Sequence, residues 1–242
     1  MSDMSRRADD IHLPPGYVLR RVRHRPFAAA SKAAAAGAED GSLFWHPRED
    51  FFDAALLLRP LDEEPRALTL AYVLLLGLID GLASVVPPET PARLVWPDRL
   101  LVNEGCVGGL RLSRGPLVAR AGRNDVPDWL VFGVAIRMRA AAPDDAPGRD
   151  LEYTDLHEEG CGMVAVSQLL ETFARHLLRW IECWQEDGPA PVLRACEMRF
   201  GAGEVRLGER GDAWIGDGAR RRRRLLAPAL AAPSWRLAGL DG

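Results

Sequence analysis

One stretch of the chain constrains the fold more than any other. In residues 93–112, two short β-prone runs flank a break at 97–99, and a tight turn at 103–105 leads into a third run. Short runs rich in Val, Ile and Leu that are separated by turn residues are typical of hairpins. The third run carries Gly108 and Gly109, and a strand glycine is destabilising unless a ligand or another backbone approaches it closely. The stretch predicts either a ligand-facing hairpin or an ordinary sheet with a bulge.

The rest of the chain mixes helical and strand-like patterns. Apolar residues between 166 and 184 follow the i, i+3, i+4, i+7 spacing of an amphipathic helix, predicted over 167–186. The near-continuous apolar run at 129–138 predicts a strand that is covered on both faces. The other predicted elements are strands at 17–22, 43–45 and 54–59, helices at 27–36 and 66–86, and a loop or short hairpin at 115–128. This order predicts an α+β fold in which helices pack against a mixed β-sheet.

The last fifty residues predict a small β appendage. Two short strands are expected there, at 204–207 and 213–215, and the stop signal at 188–191 precedes them. We therefore divide the chain into a main domain, 1–190, and a small C-terminal β domain, 191–242. The basic run 220–224 has no interleaved aromatic residues, so a solvated loop is favoured over a patch for nucleic acid or an acidic partner. A surface linker is expected at 140–149.

Composition excludes several classes of protein. The net charge of −3 gives no basic field that would attract nucleic acid. The longest apolar run, 68–86, is interrupted by Gly77 and Asp80 and predicts a buried helix rather than a membrane span. The four cysteines show neither a CxxC pair nor zinc spacing, so no metal site is predicted. With no apolar signal core at the N-terminus, we expect a cytoplasmic, reduced protein.

Three motifs in order resemble the biotin and lipoate protein ligases. Trp96-Pro97-Asp98-Arg99 is similar to the family's Trp-Pro-Asn-Asp stretch in its first two residues. Cys106-Val107-Gly108-Gly109-Leu110 stands where the family has Lys-x-Ala-Gly-Ile, and Gly133-Val134-Ala135-Ile136-Arg137 looks like its later Gly-x-Gly-Ile-Asn strand. The resemblance spans roughly residues 13–187. It implies an apolar acid pocket and a nucleotide site, whose residues would be Gly41, Trp45, Arg48, Trp96, Pro97, Asp98, Arg99, Val107, Gly108, Gly109, Leu110, Gly133, Val134, Ala135, Ile136 and Arg137.

The chain departs from the family pattern at the residues that carry adenylation. The family's lysine lies by the acyl carbonyl and the phosphate, where a fixed positive charge stabilises developing negative charge; here that position is Cys106. The family's basic glycine loop corresponds to the acidic residues 37–41, which would repel a triphosphate. Arg48, Arg99 and Arg137 are the candidates to supply positive charge instead, because arginine suits bidentate phosphate or carboxylate contacts.

Two cysteines are candidate nucleophiles. Cys106 occupies the lysine position, although a free cysteine on a strand is more often an inert apolar filler. Cys161 precedes Gly162, and this pair is similar to the Cys-Gly of the octanoyl transferases of the lipoate family, which pass an acyl group through a thioester. Those enzymes also use the lysine that is missing here.

Three functions remain as alternatives. The first is a divergent ligase that uses ATP with Mg²⁺ to activate biotin, lipoate or octanoate as an acyl-adenylate, which a lysine of a biotinyl- or lipoyl-carrier protein then attacks. The second is a cysteine-dependent acyl transferase without ATP. The third is a non-catalytic module that binds a small acid. A homodimer is compatible with each, and the sequence does not identify the acid or the carrier.

Overall fold

A computed structural model describes residues 11–140, 152–201, 205–217, 220–237 and 239–240. All of the linker predicted at 140–149 except Ala140 lies outside these residues. The strands are β1 (Val18–Arg21), β2 (Ser42–Trp45), β3 (Phe51–Leu58), β4 (Ala92–Val95), β5 (Arg99–Val102), β6 (Gly105–Arg114), β7 (Leu117–Arg120), β8 (Arg123–Pro127), β9 (Leu130–Arg137), β10 (Val205–Leu207), β11 (Ala213–Ile215) and β12 (Arg222–Arg224). The α-helices are α1 (Pro26–Ala35), α2 (Glu64–Ala67), α3 (Leu70–Ala83), α4 (Val166–Asp187), α5 (Pro189–Arg199) and α6 (Leu226–Ala229), and a π-helical turn covers His157–Cys161.

A seven-stranded mixed sheet forms the centre of the molecule. Its strand order is β1-β2-β3-β9-β6-β5-β4, and only β1 and β2 run parallel within it. All eight residues of β9 are buried, as its continuous apolar run predicts. The prediction of an α+β fold with helices on a mixed sheet is confirmed.

The hydrophobic core separates along the two faces of this sheet. One face packs against α3 and α4 and contains Val107, Leu110, Val134 and Ile136. The other face is covered in two places, by α1 over β3 and β9, and by the chain's C-terminal residues over Phe51 and Cys106. Because side chains alternate between faces along a strand, this separation decides which predicted site residues can meet.

The long apolar helix differs from its predicted span, 66–86. It starts as α2 and continues as α3 after a short turn of i→i−3 hydrogen bonds, from Thr69, Ala71 and Tyr72. By length and composition residues 64–83 could cross a membrane, but 83% of their most apolar window is buried inside the protein. The segment is the core helix of this fold.

The region after residue 188 corrects two predictions. Gly188 ends α4 at φ +75°, but Pro189 then begins helix α5, because proline is favoured in the first turn of a helix. The basic run predicted to be a solvated loop contains β12, whose exposed residues Arg222–Arg224 pair with β11 in a three-stranded antiparallel sheet. Arg223 lies 5.5 Å from the ring centre of Trp214 and forms an ion pair with Asp212, which holds the run on the sheet.

The small C-terminal sheet packs directly on the main fold. Val205, Ala213, Leu226 and Leu230 belong to the same hydrophobic cluster as α3 and α4. The hydroxyl of Tyr72 donates a hydrogen bond of 2.6 Å to the carbonyl of Gly211. The division of the chain at residue 190 stays a prediction, and residues on both sides of it share this core.

Candidate functional site

The predicted site residues fall on opposite faces of the sheet. Cys106 and Ala135 pack on the face opposite to the long helices, and Gly109, Gly133 and Arg137 belong to the same face by register. The remaining apolar residues of the predicted pocket pack instead in the helix-side core: Trp45, Trp96, Val107, Leu110, Val134 and Ile136. A single pocket lined by the side chains of both groups is therefore not formed. Sequence reasoning grouped consecutive strand residues, although the strand period of two separates them.

Residues 234–237 and 239–240, here called the C-terminal segment, cover the Cys106 face. Trp235, Leu237 and Leu240 pack in one cluster with Phe51, Leu101, Cys106 and Ala135. Trp235 is 2% exposed, and its indole nitrogen donates a hydrogen bond of 3.1 Å to the carbonyl of Leu110. The predicted ligand face is thus occupied by the chain's own residues.

Asp98 and Arg99, at the start of β5, hold the beginning of this segment. The backbone N–H of Ser234 donates to Asp98 Oδ2 at 2.8 Å, and the Ser234 hydroxyl bonds the other carboxylate oxygen. Arg99 donates to the hydroxyl of Ser234 at 3.1 Å and also to its carbonyl. Burial raises the pKa of Asp98, while the hydrogen bonds from Ser234 oppose that shift. Both predicted site residues therefore contact a peptide segment.

Gly108 and Gly109 are positions of close approach, and the approaching atoms belong to the chain. A Cβ at Gly108 would lie 1.9 Å from the carbonyl oxygen of Ala135 on β9. A Cβ at Gly109 would lie 2.0 Å from the carbonyl oxygen of Asp98 and 2.6 Å from Trp235 Nε1. The expectation of close approach holds, but strand packing and Trp235 account for it in this structure.

Cys106 is buried at the centre of this face. It is 1% exposed, and burial raises the pKa of its thiol to about 11, against the opposing charge of Arg99. A thiol with so high a pKa is almost entirely protonated at neutral pH and is a poor nucleophile. This state of Cys106 does not favour its predicted catalytic role.

The three arginines named from the sequence lie near Phe51 and Cys106. The guanidinium groups of Arg48 and Arg137 lie 4.6 and 5.8 Å from the ring centre of Phe51, which packs with Cys106. Arg48 is also bonded to Asp50 at 2.5 Å, and Arg99 forms an ion pair with Glu152. Of the three arginines named from the sequence, Arg99 is the one whose charge acts on the Cys106 thiol, while Arg48 and Arg137 contact the neighbouring ring of Phe51.

A buried ion pair on this face was missed by sequence reasoning. Asp53 is 1% exposed and lies 3.7 Å from Arg111, whose guanidinium stacks over the ring of Phe27 at 4.9 Å. The ring of Phe27 in turn fills the space beside Gly133, where a Cβ would lie 2.7 Å from it. The available signal was a single aspartate inside the apolar run Phe51–Leu58.

The second candidate nucleophile lies elsewhere. Cys161, 2% exposed, belongs to the helix-side core, and its Sγ lies 3.7 Å from the Thr90 hydroxyl. It lines an open cleft of about 810 Å³ together with Trp45, Arg48, Met138 and His157. Two of the predicted binding residues, Trp45 and Arg48, thus line the same cleft as Cys161. Cys106 lies instead under the C-terminal segment.

Two predicted residues lie apart from both places. Phe51 begins β3 and Gly41 lies near the other end of that strand, where its N–H donates to the carbonyl of Leu57. Trp96 donates from its indole nitrogen to the Tyr72 hydroxyl at 2.9 Å, on the helix side, and Pro97 follows it. Among the residues that the structure describes, no group of three or more His, Cys, Asp or Glu could hold a metal ion.

Comparison with known proteins identifies the family. The model of the biotin/lipoate A/B protein ligase family matches residues 13–197. The chain belongs to this family. The resemblance drawn from the three motifs is confirmed, and so is the type of fold that it implied.

Individual relatives agree with this membership. A biotin–[acetyl-CoA-carboxylase] ligase of Paracoccus denitrificans is 28% identical over 161 residues, which cover 65% of this chain and 62% of that ligase. The matched part thus spans less than two thirds of the curated relative. The solved structure of a biotin protein ligase-like protein of unknown function from Silicibacter sp. TM1040 is 26% identical, with a TM-score of 0.79, over 92% of this chain and 100% of that one.

More distant structures share the fold. Biotin protein ligase from Aquifex aeolicus in complex with biotin and ATP superposes with a TM-score of 0.64 at 17% identity, over 86% of this chain and 95% of that one. At this identity the comparison bears on the fold alone.

Proposed function

We propose that this family member is a protein ligase that activates a small acid with ATP and transfers the acyl group to a lysine of a carrier protein. Biotin, lipoate and octanoate are the candidate acids, and a biotinyl- or lipoyl-carrier domain is the candidate acceptor. The observation that carries the proposal is the charge of Arg99 beside Cys106, the residue at the position where the resemblance puts the family's lysine. Arg48 and Arg137 support it from the ring of Phe51, which packs with Cys106.

Arginine can perform the electrostatic part of the missing lysine's role. An acyl-adenylate forms through a transition state in which negative charge builds up on the phosphate and acyl oxygens, and a fixed cation lowers its energy. ATP with Mg²⁺ would supply the adenylyl group. Arg137 stands on β9 and Arg99 on β5, so rigid strands hold both guanidinium groups. Their planar donors suit an oxyanion at least as well as an ammonium group does.

Isotope exchange between pyrophosphate and ATP tests the proposal directly. We expect exchange that depends on one of the three acids, and a loss of at least tenfold in Arg137→Gln. Arg114→Gln is the control, because Arg114 stands at the opposite end of β6 from Cys106 and forms an ion pair with Glu64. Absence of exchange with all three acids, in wild type and in Trp235→Ala, would overturn the ligase.

A specific observation favours a second candidate, a small-acid-binding module without catalysis. The lysine position holds the neutral, buried thiol of Cys106, and the acidic stretch 37–41 replaces the basic glycine loop. Binding of one acid in calorimetry without pyrophosphate exchange would identify the module. In that case Cys106→Lys is informative, because gain of exchange would indicate a site that lost activity through this residue.

The transferase alternative is less well supported than these two. Its nucleophile would be Cys106, whose pKa is raised to about 11, or Cys161 on the cleft wall. A covalent adduct found by mass spectrometry after incubation with an octanoyl carrier protein would favour it over the ligase.

A further inference from the structure

The C-terminal segment makes polar contacts with several predicted site residues at once. Ser234 bonds Asp98 and Arg99, Trp235 bonds the carbonyl of Leu110, and Arg48 donates to the carbonyl of Gly239 at 3.2 Å. These partners come from three parts of the chain that sequence motifs had assigned to ligand binding. The segment therefore occupies polar groups of residues that were assigned to ligand binding from the sequence.

The apolar contacts of the segment exclude a ligand sterically. The ring of Trp235 lies against Gly109, where even a Cβ would be 2.6 Å from its nitrogen, and Leu237 and Leu240 pack with Cys106 and Phe51. Cys106 is left 1% exposed. No acid can contact the Cys106 position while these side chains stay in place, because folded interiors are close-packed.

The attachment of the segment is of a kind that can open locally. Within the described residues, none of the segment belongs to a helix or strand. It is held by three apolar side chains, by hydrogen bonds from Arg48 and Arg99, and by those that Ser234 and Trp235 donate to Asp98 and Leu110. Segments with few regular backbone hydrogen bonds open at a lower free energy than the core does.

We propose that the C-terminal segment, residues 234–237 and 239–240, is an intramolecular ligand of the acid site and must leave it before a small carboxylic acid can bind. Trp235 fills the space for the apolar part of the acid, and the Ser234 contacts occupy Asp98 and Arg99. The choice of acid as the competing ligand rests on the proposed function. The local release of the segment does not, so the two can fail separately.

Native-state alkylation of the full-length wild-type chain tests the release. Cys106 lies under the segment, whereas Cys196, 0% exposed, lies in the helix-side core with its Sγ 3.5 Å from the carbonyl of Tyr72. We expect iodoacetamide to modify Cys106 through local opening, at a rate that depends weakly on urea below the unfolding transition. Cys196 should react only through global unfolding, with the full urea dependence. Equal urea dependence of both cysteines would overturn the proposal.

Substitutions of Trp235 and Ser234 test whether the C-terminal segment is what shields Cys106. Trp235→Ala should accelerate modification of Cys106 at least tenfold, whereas the control Trp214→Ala, in the C-terminal sheet, should leave the rate at Cys106 unchanged. Because Cys196 reacts through global unfolding, its rate reports the loss of global stability in each variant, and the milder Ser234→Ala replaces Trp235→Ala if that variant does not fold. If neither Trp235→Ala nor Ser234→Ala accelerates the alkylation of Cys106, the C-terminal segment does not shield this residue and the proposal is overturned.

Hydrogen exchange separates the two proposals. With biotin and ATP as the probe, we expect faster amide exchange at Ser234 and Arg236 once calorimetry shows binding. Binding with unchanged exchange at these amides would overturn the intramolecular ligand and leave the ligase standing. Local opening of Cys106 in a protein that neither binds nor activates any of the three acids would remove the ligase and retain the release.

Discussion

At the scale of single residues, Cys106 concentrates the question of function. It stands where the resemblance predicts the family's lysine, yet it is packed as an apolar side chain with Trp235, and the charge of Arg99 acts on it. A buried thiol keeps its proton, because burial disfavours the charged form. Because burial raises the pKa of this thiol, the stability of the folded protein depends on pH through Cys106.

Alkaline pH should destabilise the protein through this residue. The thiol pKa is about 11 in the folded chain, against about 9 for an unperturbed thiol, so the folded state retains more protons between these values. The contribution to stability is fully present below pH 9 and is lost as the pH rises toward 11. It amounts to on the order of 2 kcal/mol.

Urea unfolding at several pH values measures this contribution. In Cys106→Ala the fall in unfolding free energy between pH 9 and 11 should be smaller than in wild type by about that amount. Identical slopes in the two proteins would show that Cys106 titrates in the folded state as it does in the unfolded one.

At the scale of elements, the contact between α3 and α4 supports the helix-side face of the sheet. Gly77 and Gly81, four residues apart on α3, let the backbone of α4 come close: a Cβ would lie 2.9 Å from Leu177 Cβ and 2.8 Å from Phe173 Cα, respectively. Phe173 also packs edge-on against Phe52 of β3, with ring centres 5.6 Å apart. The two glycines thus set the distance between the helical layer and the sheet.

Gly81→Ala should lower the free energy of unfolding by up to about 2 kcal/mol. Alanine alone would favour a helix by about 1 kcal/mol, but its Cβ would meet the backbone of Phe173, and overpacking costs about 1–3 kcal/mol. Urea unfolding of this variant is the measurement. Ala83→Gly, at an exposed position of the same helix, gives the propensity effect by itself, and a more stable Gly81→Ala would contradict the close contact.

At the scale of the whole molecule, the chain is joined by contacts between distant segments. Tyr72 of α3 accepts a hydrogen bond from Trp96 and donates one to Gly211, which links the core helix, the β4–β5 turn and the C-terminal sheet. The C-terminal segment then returns to the opposite face of the main sheet. Residues after 190 therefore complete both faces of the domain that precedes them.

We expect the two predicted domains to unfold in one cooperative transition. A shared core makes either part unstable without the other, so the calorimetric and van't Hoff enthalpies should agree. Two resolved transitions, or a ratio of these enthalpies well above one, would instead support an independent C-terminal domain. Urea curves followed by far-ultraviolet circular dichroism and by tryptophan fluorescence should coincide for the same reason.

Most of the local elements and the family could be predicted from the amino-acid sequence. The 3.6-residue period gave α4, the continuous apolar run gave β9, and three motifs in order placed the chain among the biotin and lipoate ligases. These features are readable because periodicity and turn residues act over short stretches of chain. Helix α5 and strand β12 were missed because a proline and an arginine run are ambiguous signals without their packing partners.

The face of the sheet on which each motif residue lies could be read only from the tertiary structure. Val107 and Leu110 turn toward the long helices while Cys106 faces the opposite side, a result of strand alternation and of the register shift between Leu100 and Leu101. The meeting of Trp235 with Gly109 joins residues far apart in the chain, and no local pattern encodes such a contact. Periodicity specifies which residues share a face of one element, and long-range packing specifies which element or segment covers that face.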